Sequence, residues 1–273
     1  MAALAAFRDG WTALRTNPAL LLGGLFVALV VHVQTVGEGA VSPAVSVLAS
    51  LGVFLAFPFV AGGFTGMALG AIRGGDAGLG EFARAGRTYY LRVLVAAVLI
   101  VAVVIGVMTL SLPITFVPLA IVVFGGLGET AWFGAVGFSF AVTLLTLPAV
   151  LLSVFFLQFS LTAVVAEDVG ARAALSRSAR LVRRNFWSVV GFSLLWGLLS
   201  GSALTPESLS EAISLDADLG FHGAWSDELS VVASLVVLLL TTVTSAYFYT
   251  VYTAYYVRIA EATPIETERA AAE

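Results

Sequence analysis

Residues 93–128 read VLVAAVLIVAVVIGVMTLSLPITFVPLAIVVFGGLG, 36 positions without a charged side chain. A bilayer core about 30 Å thick needs about 20 apolar residues per helix, so lipid rather than water solvates this stretch. Inside hydrocarbon the backbone must satisfy its own hydrogen bonds. The stretch lacks the apolar/polar alternation of a barrel strand, which leaves a helix. Working outward, five further uncharged runs occupy 16–37, 39–72, 130–166, 185–206 and 229–257, and the six together hold 180 of the 273 residues. Each is long enough to cross a membrane at least once.

Composition agrees. The chain is 60% hydrophobic and 11% charged, with a mean hydropathy of +1.02, whereas a soluble domain runs at about 45–50% apolar and about 25% charged. The reading is an all-α integral membrane protein with a single membrane domain over 1–262 and a short polar tail over 263–273. Spans are expected at about 18–36, 45–72, 92–112, 133–165, 186–204 and 230–258. Three of the runs exceed one span and carry proline, at Pro58, at Pro113 with Pro118, and at Pro148, so they must tilt, kink or include interfacial pieces. The third span is placed to end before Pro113. Residues 113–128 then read as an outer connection, with re-entry into the membrane left open.

Charge sets the orientation. All 13 basic residues are Arg. With six spans they fall in the N-terminal segment, the second and fourth loops and the C-terminal tail, all on one side. The positive-inside rule makes that side cytoplasmic, which gives a multi-pass plasma-membrane protein with both termini inside and an uncleaved first span. The other side holds Glu38, Glu129, Glu207, Glu211, Asp216, Asp218, Asp227 and Glu228, so the net charge of −4 divides into +4 inside and −8 outside. A seventh span would carry Arg172 to Arg184 outside, against the rule. A weakly negative total leaves no basis for a nucleic-acid partner.

Arg-rich amphipathic helices are expected at the interface before spans one, three and five. In the third, Leu175, Val182 and Phe186 share a face, and Arg172, Arg177, Arg180, Arg183 and Arg184 occupy an arc of about 140° on the other side. Leu4, Phe7, Trp11 and Leu14 form a stripe beside Arg8 and Arg15, and Phe82, Tyr89 and Val93 form one opposite Arg84 and Arg87. Arg15-Thr16-Asn17-Pro18 and Arg183-Arg184-Asn185-Phe186 place Asn at matching corners, which suggests repeated units of interfacial helix and two-span hairpin. Such arginines hold anionic lipid headgroups at roughly 1 kcal/mol each near the surface; the plainer reading is that they only anchor the topology.

Two motif groups carry a family resemblance. One is Phe156-Leu157-Gln158-Phe159, then 163–168, then Ala174-Leu175-Ser176-Arg177-Ser178-Ala179-Arg180-Leu181-Val182-Arg183-Arg184-Asn185; the other is Ala61-Gly62-Gly63-Phe64-Thr65-Gly66-Met67 with Arg73-Gly74 and Phe82-Ala83-Arg84-Ala85-Gly86-Arg87. Over residues 50–200 the chain resembles an uncharacterised haloarchaeal multi-pass membrane family. That family is similar to the membrane-integral region fused to some glycerophosphodiester phosphodiesterases. The resemblance implies a six-helix membrane domain with no assigned activity and without the soluble hydrolase barrel, which would need paired His, several acids and roughly 250 further residues. The absence of Lys fits a haloarchaeal source.

Other candidate features have bland readings beside them. With no Cys, disulfides, thiolate metal sites and Cys nucleophiles are excluded. Asp216, Asp218, His222, Asp227 and Glu228 suggest a divalent-cation site, but Gly220 falls one place early for a calcium loop, and a solvated acidic surface explains them; no metal or other cofactor is expected. No Asp, Glu, Arg or Lys lies near a span centre, which disfavours ion-coupled transport. Gln158 and His32 are read as bonded to neighbouring helices. Tyr249, Tyr252 and Tyr256 share a face and, with Gln158, line a cavity or simply pack. Gly62, Gly66 and Gly70 make a small-residue ridge for helix packing, within the bundle or in a homo-oligomer. The expectation is a non-enzymatic protein that organises anionic membrane lipids or a membrane-protein partner through its Arg helices. The alternative is a passive transporter or channel-like protein for a small or amphiphilic substrate.

Overall fold

A computed structural model describes residues 2–38, 42–75, 77–125, 128–202 and 226–263. Among them are nine helices and no strand: α1 Ala2–Thr16, α2 Leu20–Glu38, α3 Pro43–Ile72, α4 Leu79–Phe124, α5 Glu129–Leu157, α6 Ser160–Ala166, α7 Ala171–Arg184, α8 Phe186–Ser202 and α9 Ser226–Glu261. Four segments are long and apolar enough to cross a membrane: Pro43–Ile72, Leu79–Phe124, Thr130–Ala166 and Leu235–Glu261. A fifth is obtained if α1 and residues Leu20–Val30 of α2, which meet at 105°, count as one bent span. By length and composition the described chain therefore carries four or five candidate spans rather than six, with Phe186–Leu198 of α8 apolar but short.

The two Asn corners are built alike. Asn17 Nδ2 donates to Ala13 O at 3.2 Å, and Asn185 Nδ2 donates to Leu181 O at 3.1 Å. Each of these carbonyls also accepts the backbone N–H of the same Asn, at 2.9 Å and 3.0 Å, and each corner turns an Arg-bearing helix into an apolar one.

Where an outer connection was expected from Pro113, α4 continues as helix to Phe124 with Pro113 and Pro118 inside it. Each proline forfeits one amide donor, whereas ending the helix in hydrocarbon would strand several carbonyls and amides without water to receive them. Hydroxyls on the same stretch take up carbonyls: Ser111 Oγ donates to Met108 O at 2.7 Å, Thr115 Oγ1 to Ser111 O at 2.9 Å, and Ser139 Oγ of α5 to Thr115 O at 2.8 Å. The Arg-bearing segment expected as a separate helix before the third span is likewise the first part of α4.

Packing is concentrated at one end. The C-terminal half of α3, from Pro58 to Leu69, lies at this packed, inner end of the bundle and is buried among α2, α4 and the last helix, with Phe82, Ala85, Gly86, Val93, Ala96 and Ala97 of α4 buried in turn. Glycine sets the approach. A Cβ on Gly63 would stand 2.7 Å from Phe82 O, one on Gly86 2.9 Å from Phe59 O, and one on Gly66 would collide with Ala85 Cβ. Helix α1 lies on α9: Gly10 faces Val251, Tyr247 Oη donates to Phe7 O at 3.3 Å, and Arg258 Nε donates to Asp9 Oδ2 at 2.6 Å. The inward face of α1 is Ala6, Gly10, Ala13 and Leu14. Leu4 and Trp11, expected on one stripe with Leu14, are mainly exposed, although the Trp11 ring still meets Tyr247 of α9 edge-on at 6.2 Å.

Candidate functional site

Helix α7 has the most strongly two-sided sequence among the described helices. Its inward face carries Ala171, Ala174, Ser178, Leu181 and Val182, all buried, at the i, i+3, i+7 spacing of one helical stripe. Arg172, Arg180, Arg183 and Arg184 are exposed on the other side.

Arg177 departs from its neighbours. It was expected in the outward arc, but it stands at the end of that arc nearest Ala174 and Leu181 and is only 7% exposed. Its Nε donates to both Oε1 and Oε2 of Glu167 at 3.0 Å, and its Nη1 donates to Thr263 O at 3.2 Å. Tyr256 Oη donates to the same Glu167 Oε1 at 2.6 Å. A buried arginine without a partner is strongly unfavourable, so Glu167 dictates the inward turn. Arg177 is thus removed from any surface that α7 offers to a headgroup.

The adjacent Asp168 holds a second arginine. Arg92 Nη1 of α4 reaches Asp168 Oδ1 at 2.5 Å and Asp168 O at 3.3 Å. Asp168 has φ 53°, a left-handed conformation that Asp adopts more readily than most residues. Glu167 and Asp168 together join α4, α7 and α9 at one turn. Sequence reasoning gave these two acids no role. The signal was available: they end the 37-residue uncharged run at 130–166 and stand directly before the Arg helix.

Ser178 is the third missed residue. The ladder between α5 and α6 breaks at Gln158 and Phe159, inside a segment read from sequence as one span. Phe159 N donates to Ser178 Oγ at 3.1 Å, and Ser178 Oγ donates to Phe156 O at 2.8 Å. One hydroxyl from α7 therefore replaces bonds that the helix has lost.

The tyrosine face is packed. Tyr252 Oη donates to Gln158 O at 2.5 Å, and Tyr255, with its hydroxyl 2.9 Å from Ser188 Oγ, stacks on Phe192 at a centroid distance of 3.9 Å. Tyr249 lies against Phe64, and Tyr252 against Phe159 and Trp196. Ser193 Oγ donates to Gln158 Oε1 at 3.4 Å, while Gln158 Nε2 and Ser160 Oγ are buried with no hydrogen-bond partner among the described residues. These rings fill the space between α6, α8 and α9.

The remaining candidates are dispersed. Arg84 is paired with Glu81 one turn earlier, and Arg87 is exposed on α4. Gly62 meets Val93 and Tyr89 of α4 at ordinary contact distance, so the glycine ridge works within the bundle, and Gly70 O closes the end of α3 by accepting from Gly75 N at 2.8 Å. His32 is exposed on α2. Among the described residues no three His, Asp or Glu side chains gather as a metal site. Asp216, Asp218 and His222 lie outside the described residues.

The sequence motifs that build this turn and helix belong to a recognised family. A family model described as a domain of unknown function, DUF7847, matches residues 1–259. The chain belongs to this family. No curated protein and no solved structure matches it. In this DUF7847 chain, then, the site rests on geometry: an arginine face turned outward on a helix whose other face is keyed into the spans.

Proposed function

We propose that this DUF7847 chain is a non-enzymatic six-span protein of the plasma membrane that holds anionic lipid headgroups, and through them or beside them a membrane partner, on cytoplasmic Arg helices. The observation that carries the proposal is the division of labour on α7. Arg177 is spent on Glu167 and Thr263, whereas Arg172, Arg180 and Arg183 remain exposed on the opposite side. A purely anchoring helix has no need of a buried brace that fixes the rotation of its arginine face.

In this reading α2 and α8 join α3, α4, the α5–α6 pair and α9 as spans, both termini are cytoplasmic, and α1 lies along the headgroups at its 105° angle to α2. The reading keeps the likeness of residues 156–185 to the membrane-integral region of glycerophosphodiester phosphodiesterases, without any hydrolase activity, and a haloarchaeal source, which the absence of Lys fits.

The test is native mass spectrometry of the detergent-solubilised chain with added phosphatidylglycerol or phosphatidylcholine. Phosphatidylglycerol is expected to bind preferentially, and each of Arg172→Gln, Arg180→Gln and Arg183→Gln to weaken it about fivefold, the equivalent of roughly 1 kcal/mol per arginine. Equal binding of the two lipids would end the proposal. A reporter fused after Glu273 is expected to be active only inside the cell.

A further inference from the structure

We infer that α7 transmits headgroup occupancy to the fourth span, through Ser178 seated in the break between α5 and α6. The inference rests on the headgroup reading of α7 given above.

No residue at the break forces it. Residues 155–160 are Phe-Phe-Leu-Gln-Phe-Ser, with neither Pro nor Gly, and Pro148 sits inside α5 without ending it. What holds the break is a side chain from another helix. The amide of Phe159, which an unbroken helix would direct to Phe155 O, is given to Ser178 Oγ, and the same hydroxyl donates to Phe156 O.

The broken form is also incompletely satisfied. Gln158 Nε2 and Ser160 Oγ, on either side of Phe159, are buried without partners among the described residues, a costly condition in a low-dielectric interior. Two discrete arrangements follow: one broken, with Ser178 seated, and one continuous, with Ser178 withdrawn and Phe159 N–H returned to Phe155 O. Their balance depends on where α7 lies.

The position of α7 is fixed from both sides. Arg177, next to Ser178, ties it to Glu167 and to the end of α9 through Thr263 O, and Asn185 Nδ2 donates to Thr263 Oγ1 at 3.1 Å. Arg172, Arg180 and Arg183 face outward from the same helix. Anionic headgroups that bind this face only while α7 is seated favour the broken form by their difference in affinity for the two arrangements. The fourth span thus reports the charge of the surrounding lipid.

The experiment is amide hydrogen exchange on the full chain in nanodiscs of phosphatidylcholine alone or mixed with phosphatidylglycerol, read over 155–163, with lipid binding measured in parallel by native mass spectrometry. Phosphatidylglycerol is expected to slow exchange there at least about fivefold, the low end of measured couplings between sites. Ser178→Ala should bind the anionic lipid as before and lose the slowing. The triple variant Arg172→Gln, Arg180→Gln, Arg183→Gln should lose both. Preferential lipid binding with unchanged exchange in the unmodified chain overturns the coupling and leaves the headgroup reading standing, whereas no preference for phosphatidylglycerol overturns the headgroup reading itself. The comparison on the unmodified chain decides the matter even where Ser178→Ala fails to fold.

Discussion

The two halves of α4 occupy different surroundings. From Phe82 to Ala97 six residues are buried against α3, but along the rest of the helix to Phe124 only Val122 is. Helix α5 follows the outer half: Leu145 is 74% exposed, and Ala135 is its one buried hydrophobic residue. Near the inner end, a Cβ on Gly63, Gly66 or Gly86 would clash with the facing helix; in the outer parts Gly52, Gly106, Gly134 and Gly137 face open space. The halves also differ in sequence: the packed one carries Glu81, Arg84, Arg87 and Arg92, and residues 98–124 carry no charged side chain. Burial in the inner half is specific, atom against atom, while the outer half needs only a solvent as apolar as itself. The lesson is that the most apolar stretch marks the membrane, whereas the packing of α4 is specified in its less apolar half.

The sharpest way to break this comparison is at the buried ion pair. Arg177→Met leaves Glu167 buried with Tyr256 as its main remaining partner and is expected to destabilise by about 3–5 kcal/mol, read as a shift of the denaturation midpoint in detergent. A variant as stable as the parent would mean that the turn at Glu167 and Asp168 does not hold the inner half together. Next comes Gly66→Val, which drives a side chain into Ala85 and should cost about 1–3 kcal/mol in the same measurement. At the outer end, Gly137→Ala meets nothing within 4 Å and should be neutral or stabilising by up to about 1 kcal/mol, from the lower backbone entropy of alanine. Smallest is Leu145→Ala, expected to stay within about 0.5 kcal/mol, since lipid replaces what is removed. An outer substitution as damaging as Gly66→Val would show that the hairpin packs on something beyond lipid.

Much of the fold was legible because its causes are local. Uncharged runs mark the long helices, Asn17 and Asn185 mark the corners, and Gly62 and Gly66 mark the α3 face that α4 approaches. The errors have tertiary or solvent causes. Pro113 looked like a helix end because in water it often is one; in hydrocarbon, stopping costs more than continuing. The break at Phe159 left no trace in its own residues, since the cause is Ser178, 19 positions away in sequence. Arg177 looked identical to Arg172, Arg180, Arg183 and Arg184, and its inward turn depends on a carboxylate contributed by the preceding turn. Tyr252 and Tyr256 had the spacing of a lining face, but spacing does not reveal whether the space beyond is already filled by Phe159 and Phe192. In the site, residue types were readable and their partners were not.

The ion pair between Asp9 and Arg258 spans 249 positions, and it bears on how the molecule is made. Helix α1 leaves the ribosome well before the surface it packs on, around Tyr247, Val251 and Arg258. At about 5–20 residues per second roughly 10–50 s separate the two events. Through that interval Ala6, Gly10 and Leu14 have no final partner, so the leading helix must be sheltered by the bilayer surface or by the insertion machinery. The Asp9–Arg258 pair can therefore form only after translation has passed Arg258.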